Sequence, residues 1–244
     1  MSFLNATAEK VRHCDKVSLS RRGFVIGSAA LALAGCQTTN SLKPAKLADL
    51  RQDPYYKTIY GPIPDEKFPI PAVNLAQISD GKYLRQVVNY PGNEPGGSIV
   101  VDPGNRFLYL VRGDGTAMRY GVGVGRAGFG WNGDAVMQYK RQWPRWTPPA
   151  DMIARQPELE EFRNGMAPGI ENPLGARALY LFSDGKDTLY RLHGTNEHWS
   201  IGKNVSSGCI RLLNQDVIDL YNRVPNGSRV IVRPADNPVE PLSV

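Results

Sequence analysis

Cysteine and histidine are both scarce in this chain of 244 residues, which contains three of each. Cys14 and Cys36 lie near the N-terminus, so the remainder of the chain holds Cys209 alone. A single cysteine cannot form an internal disulfide, which excludes a small domain held together by disulfides. The spacing of His193, His198 and Cys209 does not match that of a zinc site. We therefore expect no metal and no cofactor.

A strong excess of charge is also missing. The formal net charge of +6 falls to +3 without the first 35 residues, which carry five basic and two acidic side chains. This remaining charge is too small to predict nucleic-acid binding. Hydrophobic residues make up 41% of the chain and charged residues 21%, which is typical of a soluble globular domain.

No long hydrophobic run accompanies the N-terminal charge. Residues 23–35 are largely apolar, but a run of this length is too short to cross a bilayer comfortably. The Arg21-Arg22 pair directly precedes the run and is typical of a twin-arginine export signal. We therefore interpret residues 1–35 as a signal peptide rather than as part of the fold.

The apolar run ends in a Leu-Ala-Gly-Cys sequence at Cys36, the pattern of a bacterial lipoprotein signal. In this interpretation Cys36 is modified by lipid and becomes the new N-terminus. The alternative is ordinary cleavage after Ala34, with Cys36 incidental. Gln37 follows where an aspartate would retain some lipoproteins in the inner membrane, so sorting to the outer membrane is allowed. We expect a periplasmic protein attached to a membrane through Cys36.

Prolines divide the rest of the chain into regions. Residues 36–96 are rich in proline and show no sustained period, which predicts a linker and an N-terminal arm. Residues 83–90 are also compatible with packing on the domain that follows. Residues 97–233 form the predicted globular domain, and residues 234–244 are a tail.

Short apolar runs between turn residues predict a mainly β domain. The predicted strands cover residues 99–101, 106–111, 117–124, 179–182, 188–192 and 229–232. Residues 125–174 are predicted to be irregular, with a short helix at residues 157–163. A second helix is predicted to begin with Asn214 as its cap and to bury an apolar stripe.

The residues with the clearest chemistry lie between two of these strands. His193-Gly194-Thr195 is followed by Ser206-Ser207-Gly208-Cys209-Ile210-Arg211. A thiol nucleophile requires a base, a turn that exposes the sulfur and backbone N–H groups for an oxyanion. We predict Cys209 as the nucleophile, His193 as the general acid and base, and Gly208 as a backbone donor of the oxyanion hole. A serine hydrolase is disfavoured, because no Gly-x-Ser-x-Gly elbow is present.

This pair of motifs resembles the signature of the L,D-transpeptidases, the YkuD or ErfK/YbiS/YcfS/YnhG family. The resemblance covers roughly residues 97–233 and departs from the family at Ser207, where a histidine is frequent. It implies a β-sandwich-like YkuD-type catalytic domain with short helices. It also implies that the backbone carbonyl of Gly194 orients the His193 imidazole in place of a carboxylate.

The resemblance further implies the substrate, which is the stem peptide of peptidoglycan. Cys209 would attack the bond between the third residue, usually diaminopimelate, and the terminal D-alanine, and hold the acyl group as a thioester. The acceptor is either an amine of another stem peptide or of an envelope protein, or water in a carboxypeptidase. Two alternatives remain: a peptidase that releases tethered protein, and a non-catalytic wall-binding lipoprotein.

Several side chains near the motif are candidates for substrate binding. We predict this role for Ser206, Ser207 and Trp199. Arg211 is either a partner of a substrate carboxylate or part of a structural salt bridge, with equal support for both. Trp131, Trp143 and Trp146 favour packing in the core over a lid or a sugar platform.

Overall fold

The computed structural model describes residues 49–126, 131–206 and 208–240. These residues form a mainly β structure with short helices, so the predicted fold class is confirmed. The predicted signal peptide, Cys36 and Ser207 lie outside the described residues. Among the described residues, no helix has the length and apolar character needed to cross a membrane.

Within the described residues there are eleven strands and three α-helices. The strands are β1 (Gln86–Asn89), β2 (Ile99–Asp102), β3 (Phe107–Val111), β4 (Thr116–Gly121), β5 (Val124–Gly125), β6 (Gly133–Gln142), β7 (Arg177–Ser183), β8 (Lys186–Thr195), β9 (Asn204–Ser206), β10 (Ile210–Leu213) and β11 (Arg229–Val232). The α-helices are α1 (Pro54–Ile59), α2 (Ala150–Arg155) and α3 (Asn214–Arg223). Short 3-10 turns cover Leu50–Gln52, Leu75–Gln77, Gly81–Tyr83, Pro157–Phe162 and His198–Ser200.

Nine of the described strands form one sheet in the order β1-β4-β3-β2-β11-β6-β7-β8-β10. Neighbouring strands are antiparallel except for two parallel pairs, β2 with β11 and β8 with β10. Strands β5 and β9 form a separate two-stranded parallel sheet. The parallel pair at the edge, β8 with β10, carries the predicted catalytic motifs.

Both faces of the sheet are covered, as alternation along β3 shows. Leu108 and Leu110 belong to a hydrophobic cluster that also takes residues from β6, β7, β8 and β10. The two halves of the sheet thus share one core in a sandwich-like arrangement, and α3 adds Val217 and Leu220 to it. Tyr109 points to the opposite face and belongs to a second cluster.

The second cluster is completed by the segment that precedes the sheet. Residues 49–96 belong to the same compact unit as the sheet. Tyr56, Tyr60 and Leu84 of this segment are buried, and β1 pairs with β4. The described part of the predicted linker is therefore folded, and it contributes no extended chain. Because prolines and short turns interrupt this segment, it has no hydrophobic period that could predict the packing.

Polar anchors hold the same segment in place. Both carboxylate oxygens of Glu66 bind the guanidinium of the buried Arg177, and one also accepts the indole N–H of Trp143 at 2.8 Å. Tyr60 donates its hydroxyl to Asp216 at 3.1 Å. We call residues 49–96 the N-terminal arm.

The region predicted to be irregular contains a ten-residue strand, so this prediction was wrong. Strand β6 lies between β11 and β7 and pairs with both. Only Ala135 and Met137 are buried along it, while the remaining positions are exposed or half-buried. The apolar alternation is too short to predict the strand. Pairing with its two neighbours in the sheet stabilises it instead.

Helix α3 follows β10 without a loop. Its N-cap is Leu213, and no side chain caps its N-terminus, so the prediction of Asn214 as the cap was wrong. Asn214 is instead buried, and its side-chain oxygen accepts the backbone N–H of Ala176 at 2.9 Å. At the other end the Lys140 ammonium donates to the carbonyls of Tyr221 and Val224, which satisfies two acceptors of the last turn.

Candidate active site

The parallel pairing of β8 and β10 brings the two predicted motifs together. Arg211 lies opposite His193 and Ile210 opposite Leu192, so Cys209 immediately precedes this pairing. His193 and Cys209 both line a cleft of about 680 Å³. The fifteen residues between them include the end of β8, the 3-10 turn His198–Ser200 and β9.

The His193 imidazole is buried and is held by the backbone. Its Nδ1 atom lies 2.7 Å from the carbonyl oxygen of Gly194. A carbonyl can only accept, so Nδ1 carries the proton and Nε2 keeps its lone pair. This is the orientation that the family resemblance implies for Gly194, and it makes Nε2 the basic atom.

Burial also sets the charge of this imidazole. Desolvation lowers the pKa of His193 to about 4, and the nearby charges of Arg211 and Arg191 act in the same direction. The carbonyls of Gly194 and Pro173 oppose this shift and do not overcome it. The imidazole is therefore neutral at pH 7 in the free protein.

Gly194 itself is required by close packing. A Cβ atom added there would collide with Oδ1 of Asn214 and stand 3.1 Å from Ala176 N and Val217 Cγ1. Gly175, from the segment before β7, packs against the same Asn214 oxygen and has a positive φ of 61°. Asn214 thus joins the ends of three segments behind the His193 imidazole. The sequence analysis interpreted Asn214 only as a cap and missed this contact.

A serine holds the turn before Cys209. Ser206 Oγ accepts the N–H of Gly208 at 3.2 Å and donates to the carbonyl of Cys209 at 2.7 Å. Gly208 has a φ of 133°, a conformation that favours glycine. The Gly208 N–H that we predicted for the oxyanion hole is occupied by Ser206 Oγ in this state. Ser206, a predicted substrate-binding residue, lines the cleft but uses its hydroxyl within the turn.

The Cys209 thiol meets an irregularity in β8. Cys209 is half-buried, and its sulfur lies 3.8 Å from the carbonyl oxygen of Leu189. Strand β8 bulges there, and Leu189 has a φ of 61°, which is uncommon for a residue other than glycine. Asp187 supports the bulge by accepting the Leu189 N–H at 2.8 Å and by pairing with Arg191 through both oxygens.

The same surroundings favour the neutral thiol. Desolvation raises the pKa of Cys209 above its ordinary value of 9.0. The backbone N–H of Arg191 and the charges of Arg191 and Arg211 favour the thiolate, but burial outweighs them. Cys209 and His193 are therefore both uncharged in the resting site.

Arg211 forms a salt bridge with Glu197, so the geometry supports the structural alternative for this residue. Glu197 also donates its backbone N–H to Thr195 Oγ1 at 3.1 Å. These contacts anchor the loop that follows β8. Trp199, a predicted substrate-binding residue in that loop, is 42% exposed and lines the cleft. His198 is half-buried, and its Nδ1 accepts the N–H of Asn74 from the N-terminal arm at 3.2 Å.

One wall of the cleft was not identified from the sequence as a part of the site. Trp146, Met152 and Leu159 line it, from α2 and the neighbouring turns. Trp143, by contrast, is buried, and Trp131 packs on Tyr190 with ring centroids 5.7 Å apart. Within the described ranges, no group of three or more histidine, cysteine or acidic side chains is placed to hold a metal ion.

Several known proteins resemble this chain in sequence. Residues 96–232 match the family described as YkuD, the L,D-transpeptidase catalytic domain. An Escherichia coli protein described as "Probable L,D-transpeptidase YbiS" is 35% identical over 139 residues, which is 55% of this chain and 43% of that protein. A Salmonella typhimurium protein described as "Probable L,D-transpeptidase ErfK/SrfK" is 33% identical over 174 residues, 69% of this chain and 55% of that protein. The chain therefore spans about half the length of these relatives.

One solved structure is a Brucella melitensis protein described as a "Probable carnitine operon oxidoreductase". It is 49% identical, with 64% of this chain and 96% of that chain covered and a TM-score of 0.45. Because the TM-score is low, the assignment rests on the sequence matches. The family match covers more than half of the chain and includes both the His193 and the Cys209 motifs. The chain belongs to the family of YkuD L,D-transpeptidase catalytic domains.

Proposed function

We propose that this protein is a peptidoglycan L,D-transpeptidase with Cys209 as its nucleophile. The observation that carries the proposal is the contact between His193 Nδ1 and the Gly194 carbonyl at 2.7 Å. It leaves a neutral Nε2 as a base in the same cleft as the only cysteine of the described residues. Family membership supports the reaction class.

The neutral resting state favours general-base catalysis over a preformed thiolate–imidazolium pair. His193 Nε2 takes the thiol proton as Cys209 Sγ attacks the carbonyl carbon of the acyl donor. The resulting oxyanion needs a backbone donor. The Cys209 N–H is one candidate, and the Gly208 N–H is another if substrate draws it away from Ser206 Oγ.

The tetrahedral intermediate then collapses. The bond between carbonyl carbon and amide nitrogen breaks, and His193 returns its proton to the leaving amine, which departs as D-alanine. The acyl group stays on Cys209 as a thioester. An acceptor amine attacks this thioester, His193 removes the proton of the amine, and the thiol is regenerated.

The proposed donor is a stem tetrapeptide, which the resemblance to the L,D-transpeptidase family implies. The acceptor is an amine of a second stem peptide or of an envelope protein, and water would make the protein a carboxypeptidase. Export and lipid attachment at Cys36 remain predictions, because residues 1–48 lie outside the described residues.

Intact mass spectrometry tests the proposal. The protein is incubated with a disaccharide tetrapeptide, alongside a Cys209→Ala variant. We expect the wild type to gain the mass of the donor less D-alanine and to release dimeric products, while the variant gains nothing. An adduct that breaks down to free tripeptide, with no dimeric product, would indicate hydrolysis or a missing protein acceptor.

If the mass of neither protein changes on incubation with the donor, the mechanism would be refuted and the wall-binding alternative favoured. A carbapenem provides an independent probe of the same thiol. It should acylate the wild type and leave the Cys209→Ala variant unmodified, whereas a non-catalytic binding protein should not react in either form.

A further inference from the structure

Arginine dominates the charge of the catalytic cleft. Arg126, Arg145, Arg191 and Arg211 line it, and Glu197 is the acidic residue among the lining side chains. Such an excess of positive charge between apolar walls attracts anions, because field lines are focused in a cleft with low-dielectric walls. A guanidinium that has no partner in the protein is available to such a ligand.

Three of the four guanidinium groups already have partners in the protein. Arg191 pairs with both oxygens of Asp187, and Arg211 pairs with Glu197. Arg145 donates to the carbonyl of Asn164 at 2.6 Å, which ties it to its own segment. Arg211, which we had considered as the partner of a substrate carboxylate, is therefore already occupied.

Arg126 differs from these three. Within the described residues its guanidinium makes no hydrogen bond or salt bridge, and its side chain is exposed in the cleft. Its backbone is nevertheless fixed, because Arg126 N donates to the Ser206 carbonyl at 3.1 Å and β5 pairs with β9. Ser206 also binds the Cys209 carbonyl, so Arg126 is attached to the same turn as the nucleophile.

A carboxylate is the ligand that fits this position. A guanidinium binds a carboxylate through two parallel hydrogen bonds, which gives both strength and orientation. In the proposed reaction the acyl donor carries two such groups near the bond that breaks. One is the terminal carboxylate of D-alanine, and the other is the side-chain carboxylate of a diamino-diacid third residue.

We propose that Arg126 binds a carboxylate of the acyl donor and so selects donors that carry this charge. This inference rests on the proposed function, since it concerns the same cleft and the same reaction. It assigns Arg126 a role in donor recognition and leaves the chemistry of bond exchange to Cys209 and His193.

Four donors distinguish the two carboxylates: the free tetrapeptide, the same peptide amidated at the third residue, the same peptide ending in D-alaninamide, and the peptide with both amides. Rates of adduct formation give kcat/KM for wild type, Arg126→Gln and Arg126→Lys. Arg112→Gln is the matched control, because Arg112 is exposed and does not line the cleft.

For wild type and Arg112→Gln, we expect kcat/KM for the free tetrapeptide to exceed that for one of the two singly amidated donors. The expected ratio is about 10- to 100-fold, the range of a charged hydrogen bond. Arg126→Gln should lose this preference mainly through KM, and Arg126→Lys should restore part of it. The amide that abolishes the difference between wild type and Arg126→Gln identifies the carboxylate.

Two results would overturn the inference while leaving the proposed function intact: Arg126→Gln keeps the wild-type preference, or it slows all four donors by the same factor. A wild type that forms no adduct with any donor would instead refute the proposed function, and this inference with it. Thermal unfolding of each variant shows whether an effect comes from misfolding.

Discussion

Oδ1 of Asn214 occupies the space next to Gly194 that a β-carbon would need. The same oxygen accepts the N–H of Ala176 at 2.9 Å. Gly194 in turn presents its carbonyl to His193 Nδ1 at 2.7 Å. The first turn of α3, the start of β7 and the end of β8 are therefore joined directly behind the imidazole. Close packing of this kind leaves little freedom for the backbone that orients the His193 imidazole.

Replacement of Gly194 by alanine should damage both stability and activity. The new methyl group must displace Asn214 or the backbone of β8, at a cost of about 1–3 kcal/mol for overpacking a buried site. Adduct formation should slow as well, because the carbonyl that holds His193 moves. Gly169→Ala is the matched control, since nothing lies within 4 Å of a Cβ at Gly169. Urea unfolding and mass spectrometry measure the two effects, and equal behaviour of both variants would contradict the packing argument.

The neutral state of Cys209 and His193, the proposed catalytic pair, predicts the pH dependence of the thiol. Because burial raises the pKa of Cys209 above 9.0, iodoacetamide should alkylate it slowly at pH 7 and faster as the pH rises past that value. A preformed ion pair would instead react well below pH 7. Mass spectrometry of the alkylated protein from pH 5 to pH 10 measures the profile, and a plateau of reactivity at low pH would contradict a neutral pair.

Protonation of His193 should limit activity only in acid. Burial lowers the pKa of His193 to about 4, so the basic Nε2 remains available well below pH 6.5. We expect kcat/KM for acylation to fall on the acid side with an apparent pKa below the ordinary histidine value. An acid limb centred near 6.5 would show that the imidazole is solvated in the free protein.

The anchor at Glu66 should contribute strongly to stability. Removal of its carboxylate leaves the buried guanidinium of Arg177 without its counter-charge, and such a loss costs about 3–5 kcal/mol. We therefore expect Glu66→Ala to lower the free energy of unfolding and to loosen the N-terminal arm. Denaturant unfolding measures the first effect, and limited proteolysis within residues 49–96 reports the second.

Glu160→Ala is the control for this experiment. Glu160 also binds an arginine, Arg163, through both oxygens, but this pair is exposed on the surface. Water screens the charges of such a pair and solvates the arginine when the carboxylate is removed. Loss of this pair should therefore lower the free energy of unfolding much less. Similar destabilisation by the two substitutions would show that the Glu66 pair is not an anchor.

Asp216 should make stability depend on pH. Burial raises its pKa to about 7, and Arg85 and Tyr60 offset this only in part. Arg85 lies closer to Asp219, at 3.1 Å, than to Asp216, at 3.8 Å. Folded Asp216 thus keeps its proton up to about pH 7, whereas the unfolded side chain ionises near its ordinary pKa of 3.8. The stability that protonated Asp216 contributes is complete below pH 3.8 and is lost as the pH rises through 7.

Asp216→Asn should remove this dependence. The free energy of unfolding of wild type relative to the variant should fall by at most about 1.4 kcal/mol per pH unit between pH 4 and 7, then level off. Urea unfolding at pH 5, 6, 7 and 8 provides the measurement. If wild type instead becomes more stable relative to Asp216→Asn as the pH rises, Asp216 is ionised in the folded protein and held by Arg85.

Local patterns predicted many strands well. The strand predicted at residues 229–232 agrees with β11, and that at residues 99–101 differs from β2 by one residue. These segments are short apolar runs that end at turn residues, so the information lies within the segment. Strand β6 was missed because its apolar alternation is limited to Ala135 and Met137, and its neighbours β7 and β11 complete it.

Local patterns are enough to find the candidate catalytic residues: a cysteine after a glycine, a histidine followed by a glycine, and a serine three residues before the thiol. The charge states and binding partners of these groups depend on the fold. The neutral imidazole and the pairing of Arg211 with Glu197 depend on burial and on contacts between distant segments. The same holds for Arg126, whose guanidinium has no partner in the part of the chain that the structure describes. Desolvation and long-range pairing arise when the sheet closes around the cleft, and no local pattern of residues encodes them.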